Sequence, residues 1–589
     1  VRFLLLGDIS VGYVIYATSS DATYNAGTHG AVSVCSYQLV GTEPRPQRWK
    51  VTGFSIDGGN KWNEPSATTW VNQAGTINMT PWVTDRNIEG ISTGTGLEMT
   101  TKTVKVSAIS DATTSGKGET INNALKNATA VSNYDLSTHT VRGATCSLTT
   151  ANCYIVHAPG TYSFPTYYGS TYKNGSLQAT AYGQSNFVNY KGNKINNANI
   201  ITDTGASGVT AKIIWQERPV SGAISNVQYS DNKITFSVDR DKIYQGNVLI
   251  GLFDSSGKCM WSWHIWITRA YYDYTTVKSV ASVTNTKNAA GTDGTYTSST
   301  TYYFAPDPIG VIYRGRHYVY EQRQVMLRIQ QVDDAGDVIK GSSTCKIYVT
   351  QNSGEAENRI MGFVYYQWGR KDPRPCATNL DKPSSSSTTC SYPWDATGTA
   401  QGYWDSSKMT GWTSVSSQIS MDDAIKYPNI WKYRAEGVPS WDWCSTVAYN
   451  WWDAAFTKTE ATNWTYYKKV GAITKTVYDP CPPGFHVPPS GAFAEFTEDK
   501  STFGITNQCR YKDYKLTGGT LRAYITGYVW RTYGITNHPA DWQNYGYSWQ
   551  SSAYTDVGYG CLYSNSSYGS TPFNGSIRNQ GFVIIPVAD

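Results

Sequence analysis

The chain carries 11 cysteines and 7 histidines in 589 residues, the side chains best suited to metal or nucleophilic chemistry. Their spacing builds no site. No Cys-x-x-Cys pair or Cys/His cluster occurs, so the ligand set of a zinc centre is not expected. Cys146 and Cys153 could bridge locally across a turn, and Cys376 and Cys390 form another such pair. His264 stands between Trp263 and Ile265 in an apolar strand, where one tautomer held by a neighbouring carbonyl would satisfy it. His486 lies in the Pro-rich run Pro482-Pro483-Gly484-Phe485-His486-Val487-Pro488 and reads as part of a structural turn. Asp372, Asp453 and Asp479 stand near Arg or Pro and read as turn caps. No Ser/His/Asp order and no pair of carboxylates can be argued from spacing, so no catalytic residue, metal or cofactor is expected.

Recognition is the chemistry that the residue types favour instead. Residues 521–589 interleave tyrosines with Asn, Ser and Gly. Tyrosine brings a large, stiff, amphipathic surface, and Ser and Asn add adaptable hydrogen bonds. The candidate ligand-binding residues are Tyr528, Trp530, Arg531, Tyr533, Trp542, Asn544, Tyr545 and Tyr547. Tyr554, Asp556, Tyr559, Tyr563, Asn565 and Tyr568 follow on the adjoining strands and loops. Trp549 opens a Trp-Gln-Ser-Ser strand and is expected in the core.

Strands must position these residues. Ile234, Phe236 and Val238 alternate with polar residues, as do Val104 and Val106, and Cys345, Ile347 and Val349. Val325, Leu327 and Ile329 alternate with Met326 and Arg328. Each run reads as a half-buried antiparallel strand. Turns separate them at Asp57-Gly58-Gly59-Asn60, Asp254-Ser255-Ser256-Gly257 and Asp334-Ala335-Gly336. Such strands and turns imply a mainly β chain of tandem antiparallel β-sandwich modules, placed at 1–140, 141–268 and 269–352. Residues 353–589 differ in texture, with crowded Trp431, Trp441, Trp443, Trp451, Trp452 and Trp464. Short helices are expected from Ser420, with Asp423 three residues on, and from Ser490, with Phe493 and Phe496 on one face. This last segment reads as a compact α+β domain.

The composition excludes several classes. Lys and Arg number 49 against 44 Asp and Glu, a net charge of only +5, which argues against an electrostatic nucleic-acid binder. No heptads of a coiled coil occur, and no apolar run is long enough for a transmembrane helix. The opening Val1-Arg2-Phe3-Leu4-Leu5-Leu6 breaks at Gly7-Asp8, too short for the core of an export signal, and reads as the start of a mature or trimmed chain. Phe3, Leu4, Leu5 and Leu6, followed by Ile9, Val11, Tyr13 and Ile15, read as a first strand or as the border of a groove completed by a partner's strand.

Several segments resemble surface and fimbrial proteins of Bacteroidales gut bacteria. Trp49–Gly59 resembles their first Ig-like module. Tyr134–Thr138, Thr150–Val156 and Ala158–Tyr162 resemble the start of the second, and Met260–Thr268 its last strand. Tyr365–Pro373, Tyr478–Pro488, Tyr547–Ser552 and Gly581–Val583 are similar to the C-terminal domain of that group, the major-paralogous-domain type with a C-type-lectin-like fold. The chain departs from the pattern at Ile584-Ile585-Pro586-Val587, where an Ile replaces an Arg. The resemblance implies Ig/fimbrillin-like sandwiches and a lectin-like head at 353–589. It implies an extracellular adhesin at the tip of a type V pilus of a Gram-negative cell surface. The next pilus subunit would join by strand addition near the N-terminal module, and an external protein or glycan would bind the head. Heads of this kind include targets of diversity-generating retroelements. No Glu-Pro-Asn, Gln-Pro-Asp or Trp-Asn-Asp tripeptide occurs in 353–589, so a calcium-bridged sugar site is not expected.

Two other classes compete. A structural shaft or anchor subunit would use the head for assembly alone. An enzyme of the formylglycine-generating fold would need a reactive thiol pair, for which Cys509 and Cys561 are available.

Overall fold

Ile234, Phe236 and Val238 are all buried in the strand Lys233–Val238, and their polar neighbours point away from the core. The same period-2 logic holds for Val325, Leu327 and Ile329 in Arg323–Gln331. It is weaker in Thr344–Gln351, where Val349 is buried and Cys345 and Ile347 are half-buried. In the computed structural model, the described residues are 11–22, 29–92, 94, 96–106, 112–114, 116–217, 220–269, 278–287, 292–314, 317–357, 360–375, 413–415, 418–432, 442–446, 448–462, 469–506, 509–525, 545–554, 557–564 and 570–589. The protein is mainly β, built from several sheets with few and short helices.

Contacts divide the chain into two units, and both are discontinuous. One joins Val1–Ser115 to Arg316–Asn358, and the other joins Gly116–Gly315 to Arg359–Asp589. These divisions differ from the serial modules that the sequence suggests. The expected module 269–352 is shared out: its hairpin Lys278–Lys287/Asp293–Tyr303 goes to the second unit, and Arg323–Gln331 with Thr344–Gln351 to the first. The reason is pairing. Arg323–Gln331 takes Arg48–Ser55 as its antiparallel neighbour, so a strand nearly three hundred residues downstream completes the first sheet.

In the first unit, Thr344–Gln351, Arg323–Gln331, Arg48–Ser55 and Glu89–Ile91 form one sheet in that order. Val11–Ser20, Gly30–Val40, Glu43–Pro46 and Thr100–Val104 form another. They share a core of Val32, Val34, Trp49, Phe54, Trp70, Trp82 and Leu327. Gln331, fully buried, donates from Nε2 to the Val14 and Tyr37 carbonyls and to Ser36 Oγ, which ties one sheet to the other.

In the second unit the strand Cys259–Ile267 is buried along its whole length. It pairs antiparallel with Gly246–Phe253 and parallel with Cys153–Val156. A second parallel pair joins Gly160–Pro165 to Val131–Asp135. Uniformly antiparallel strands were expected, and these two pairs depart from that. A strand buried on both faces reads as a continuous apolar run, as Met260-Trp261-Ser262-Trp263-His264-Ile265-Trp266-Ile267 does, and such runs suit parallel neighbours.

Burial on both faces leaves little water for the polar side chains of this strand, and Trp261, Ser262, His264 and Trp266 take partners from other segments, while Trp263 Nε1 is buried without one. Trp261 Nε1 donates to Asn152 Oδ1 at 2.9 Å, and Asn152 Nδ2 donates to the carbonyls of Val477 and Asp479 at 2.6 and 2.8 Å. Ser262 Oγ donates to Asp372 at 2.6 Å. Trp266 Nε1 reaches the Val311 carbonyl at 3.1 Å. One apolar cluster accordingly runs from Ile121 through Trp261 and Trp263 to Tyr366, Trp451 and Phe582. The segment 141–268 and the segment 353–589, expected as separate modules, share that core.

Both expected helix starts are occupied. Met421–Lys426 is helical, with Ser420 Oγ accepting from the Asp423 amide at 3.2 Å. Ser490–Phe493 is a single 3₁₀ turn, and Phe493 and Phe496 are buried against Phe304.

A shared core has a direct consequence. A fragment of residues 353–589 should lack cooperative unfolding and resist no protease, because His264, Ser262 and Asn152, which bond to its Tyr366, Asp372 and Asp479, lie upstream of residue 316. Residues 116–589 should unfold cooperatively. Proteolysis and amide exchange on the two fragments check this, and a well-protected 353–589 would contradict it.

Candidate functional site

The strand Tyr545–Tyr554 carries the anchored part of the tyrosine-rich segment. Val557–Ser564 pairs with it and Thr571–Ile577 follows, giving a three-stranded antiparallel sheet. Alternation places Tyr545, Tyr547 and Trp549 on one face of the first strand. Tyr547 is half-buried and stacks on Phe582, with centroids 4.4 Å apart and planes at 13°. Trp549 is fully buried as expected, packs on the same ring at 4.1 Å, and donates from Nε1 to the Tyr366 carbonyl at 2.6 Å. On the other side of the strand, Ser548 Oγ accepts from the Ile585 amide and Gln550 Nε2 donates to the Pro572 carbonyl. The strand is therefore bolted to the core from both faces.

The register assigns the remaining tyrosines. Tyr559 stands directly across from Gly575, and Tyr563 directly across from Gly546. A glycine opposite leaves that cross-strand position without a side chain to pack against. Tyr554 pairs with Val557 at the tight end of the hairpin, and Tyr545 with Ser564 at the other end. Tyr528, Trp530, Arg531, Tyr533, Trp542, Asn544, Asp556, Asn565 and Tyr568 lie outside the described residues.

Beneath this sheet sits a lattice of tryptophan and arginine. Trp368, Trp443, Trp451 and Trp452 are buried with neighbouring centroids 5.1 to 6.0 Å apart. Arg578 lies 4.5 Å over the Trp368 ring and pairs with Asp442 at 2.9 Å, both side chains almost wholly buried. Arg370 lies 5.5 Å over Trp443 and Arg374 5.1 Å over Trp431. Arg suits such places because its flat, weakly hydrated ion stacks on aromatic faces. Gly369 permits the turn at the centre, since its φ is +86° and a Cβ there would run into the Trp451 ring. Trp441 and Trp464 lie outside the described residues.

The expected roles of the titratable groups hold in part. His264 is buried, its Nε2 2.8 Å from Asn247 Oδ1 and its Nδ1 3.3 Å from the Tyr366 hydroxyl. Burial pushes its pKa down to about 3, which keeps the ring neutral. The carbonyl that holds it belongs to a side chain. Asp479 caps its turn through the Cys481 and Val487 amides, and Asp453 caps through Ala455 and Thr474. Asp372 differs: it accepts from Lys371 Nζ at 2.7 Å and from Ser262, closing a buried ion pair instead of a turn. Burial depresses the Lys371 pKa, against the pull of Asp372.

Cys146 and Cys153 are both free, so the local bridge does not form. Cys153 faces the core while Cys146 stays half-exposed. Burial pushes the Cys259 and Cys444 thiols up to about 12 and raises Cys153 and Cys481 as well. Cys376 and Cys390 lie outside the described residues, and only the backbones of Cys509 and Cys561 are described. Among the described residues no three His, Cys, Asp or Glu side chains are grouped to hold a metal ion.

Sequence reasoning missed Asn152, Asn247 and Arg578. Their signal was weak: one polar residue inside an apolar stretch, or beside a strand end. No protein-family model, no curated protein and no solved structure matches the chain.

Replacing Arg578 by Met leaves Asp442 buried without its partner. Removing one member of a buried pair typically costs ~3–5 kcal/mol, so a loss of that order is expected in urea unfolding. The double variant with Asp442→Leu should recover a large part of it.

Proposed function

We propose that the chain is an extracellular binding protein of the fimbrial tip-adhesin type. In this reading an external protein or glycan is held on the C-terminal sheet and its tyrosine-rich connections. The finer fold reading, Ig-like sandwiches with a C-type-lectin-like head, belongs to the same proposal. The observation that carries it is the register of the sheet: Tyr559 and Tyr563 stand opposite glycines on a strand whose neighbour is bolted to the core. A fixed strand presents side chains at low entropic cost. The connection 525–545 leads into the strand Tyr545–Tyr554 and carries Tyr528, Trp530, Tyr533 and Trp542.

Assembly through strand addition is part of this reading. Val11–Ser20 lies at the end of the strand order of its sheet, paired with Gly30–Val40. An edge strand offers amides and carbonyls to a partner's strand, and of those here the Tyr13 and Val14 carbonyls already accept from Ser343 and Gln331.

The test is a screen of the full chain against arrays of glycans and of extracellular-matrix proteins. Tyr559→Ala and Tyr563→Ala should each weaken the strongest interaction about tenfold, as aromatic anchors do. Tyr348→Ala, an exposed tyrosine of the first unit, should not. Equal binding by all three variants would overturn the assignment of the sheet.

A further inference from the structure

A cavity of about 480 Å³ opens in the second unit, away from the tyrosine sheet. Ligand pockets commonly run to roughly 300–1,000 Å³. Its wall combines the segments around Thr150, Ser170 and Thr180 with the end of the strand Asp293–Tyr303, the segment 471–475, His486 and Asp589.

Two wall atoms are buried and have no hydrogen-bond partner in the protein: Ser170 Oγ and His486 Nε2. Ser170 is 6% exposed and His486 7%. An unmet polar atom at that depth is costly, and a ligand that meets it recovers the loss. Ser170 carries a second cost. Its φ is +60°, a left-handed conformation that a non-glycine residue rarely adopts, and such strain gathers at binding sites. Its amide is held by the Thr150 carbonyl at 2.9 Å, so the backbone is fixed in that state.

The chemistry of the ligand follows from what faces it. His486 Nδ1 lies 2.9 Å from Asp589 Oδ1, and a carboxylate only accepts, so Nδ1 carries a hydrogen. Nε2 faces the cavity without a partner, and a hydroxyl, which both donates and accepts, can meet it. Ser170 can donate or accept. The cations at the wall are already engaged. Lys173 lies 3.6 Å from Asp589, and Lys475 donates to the carbonyls of Pro482 and Phe485. Burial alone would raise the Asp589 carboxyl, but Lys475 and His486 hold it below the usual range, so a negative charge stands in the wall. Each cation of the wall has a carboxylate of its own, Lys173 with Asp589 and Lys475 with Asp479, so an anionic ligand finds no unpaired cation. The rest of the lining is rich in neutral hydroxyls, with Tyr172 and Tyr303 presenting rings.

We propose that this cavity binds a neutral polyhydroxylated molecule, a free sugar or a sugar residue of a glycan, with Ser170 and His486 as its buried hydrogen-bond partners. One hydroxyl of the ligand hydrogen-bonds to His486 Nε2, and a second hydrogen-bonds to Ser170 Oγ. The cavity shares no residue with the tyrosine sheet, so the two assignments stand or fall separately.

The full chain is titrated by calorimetry and by saturation-transfer NMR with glucose, galactose, mannose, N-acetylglucosamine and oligosaccharides of each, and with inorganic phosphate and acetate. At least one neutral sugar should bind, and a tighter oligosaccharide would mark a glycan residue as the ligand. Ser170→Gly removes the hydroxyl where glycine suits the backbone, so it should fold at least as stably and bind about tenfold more weakly, the loss of ~1.4 kcal/mol. His486→Gln should weaken binding to a similar degree; if that variant does not fold, Ser170→Gly decides. The proposal is overturned if no sugar binds, if Ser170→Gly binds as the parent does, or if phosphate or acetate displaces the sugars.

Discussion

A strand buried on both faces dictates much of this molecule. Cys259–Ile267 carries Trp261, Ser262, His264 and Trp266, and no water can satisfy their polar atoms. Asn152, Asp372, Asn247 with Tyr366, and Val311 supply the partners. Those residues are spread over more than two hundred positions of sequence. The strand cannot be native until all of them have arrived, so the segments that carry them must fold together. Buried polar contacts of this kind select one arrangement more than they add net stability, because each exchanges a bond to water for a bond to protein. Asn247 shows the economy of the design: one amide holds His264, Glu217 and the Gly310 carbonyl.

The same constraint explains what could be read from the chain. Strands with one wet face declare themselves by alternation, so Lys233–Val238 and Arg323–Gln331 were legible, as were the turn at Asp254 and the helix start at Ser420. Pairing over long separations was not legible. Nothing in Arg323–Gln331 names Arg48–Ser55 as its neighbour, and period-2 patterning is blind to which sheet a strand joins. Module boundaries inferred from fading alternation therefore fell at polar stretches, while the contacts divide the chain by pairing. His264 could be read as a satisfied core residue, because an apolar strand leaves no other role. The residue that satisfies it could not, since an isolated Asn carries no pattern.

The candidate binding sheet was legible by composition and only partly by position. Trp549 follows from its place at the head of a polar-flanked strand. Tyr547 carries the same residue type as its neighbours, yet it leans on Phe582 and takes part in the core. Composition cannot separate an anchoring tyrosine from a presenting one. The anchor is told apart only by its aromatic partner, and that partner, Phe582, lies 35 residues downstream.

Burial has also narrowed the chemistry left to the described residues. The histidine at position 264 is held neutral, and the thiols at 153, 259, 444 and 481 are held protonated, by the absence of water around them. Lys371 and Arg578 are paired with Asp372 and Asp442 in the core. Such groups are spent on architecture: to act on a ligand they would have to leave their partners and expose the core. What remains for encounter is the periphery, where side chains are supported from behind but unpaired in front. Ser170 and His486 meet that description at the cavity, each fixed by one bond to the protein and each with a polar atom unmet. Groups that the buried seam engages are held in place by it, so the proposed recognition falls to atoms that the seam does not use.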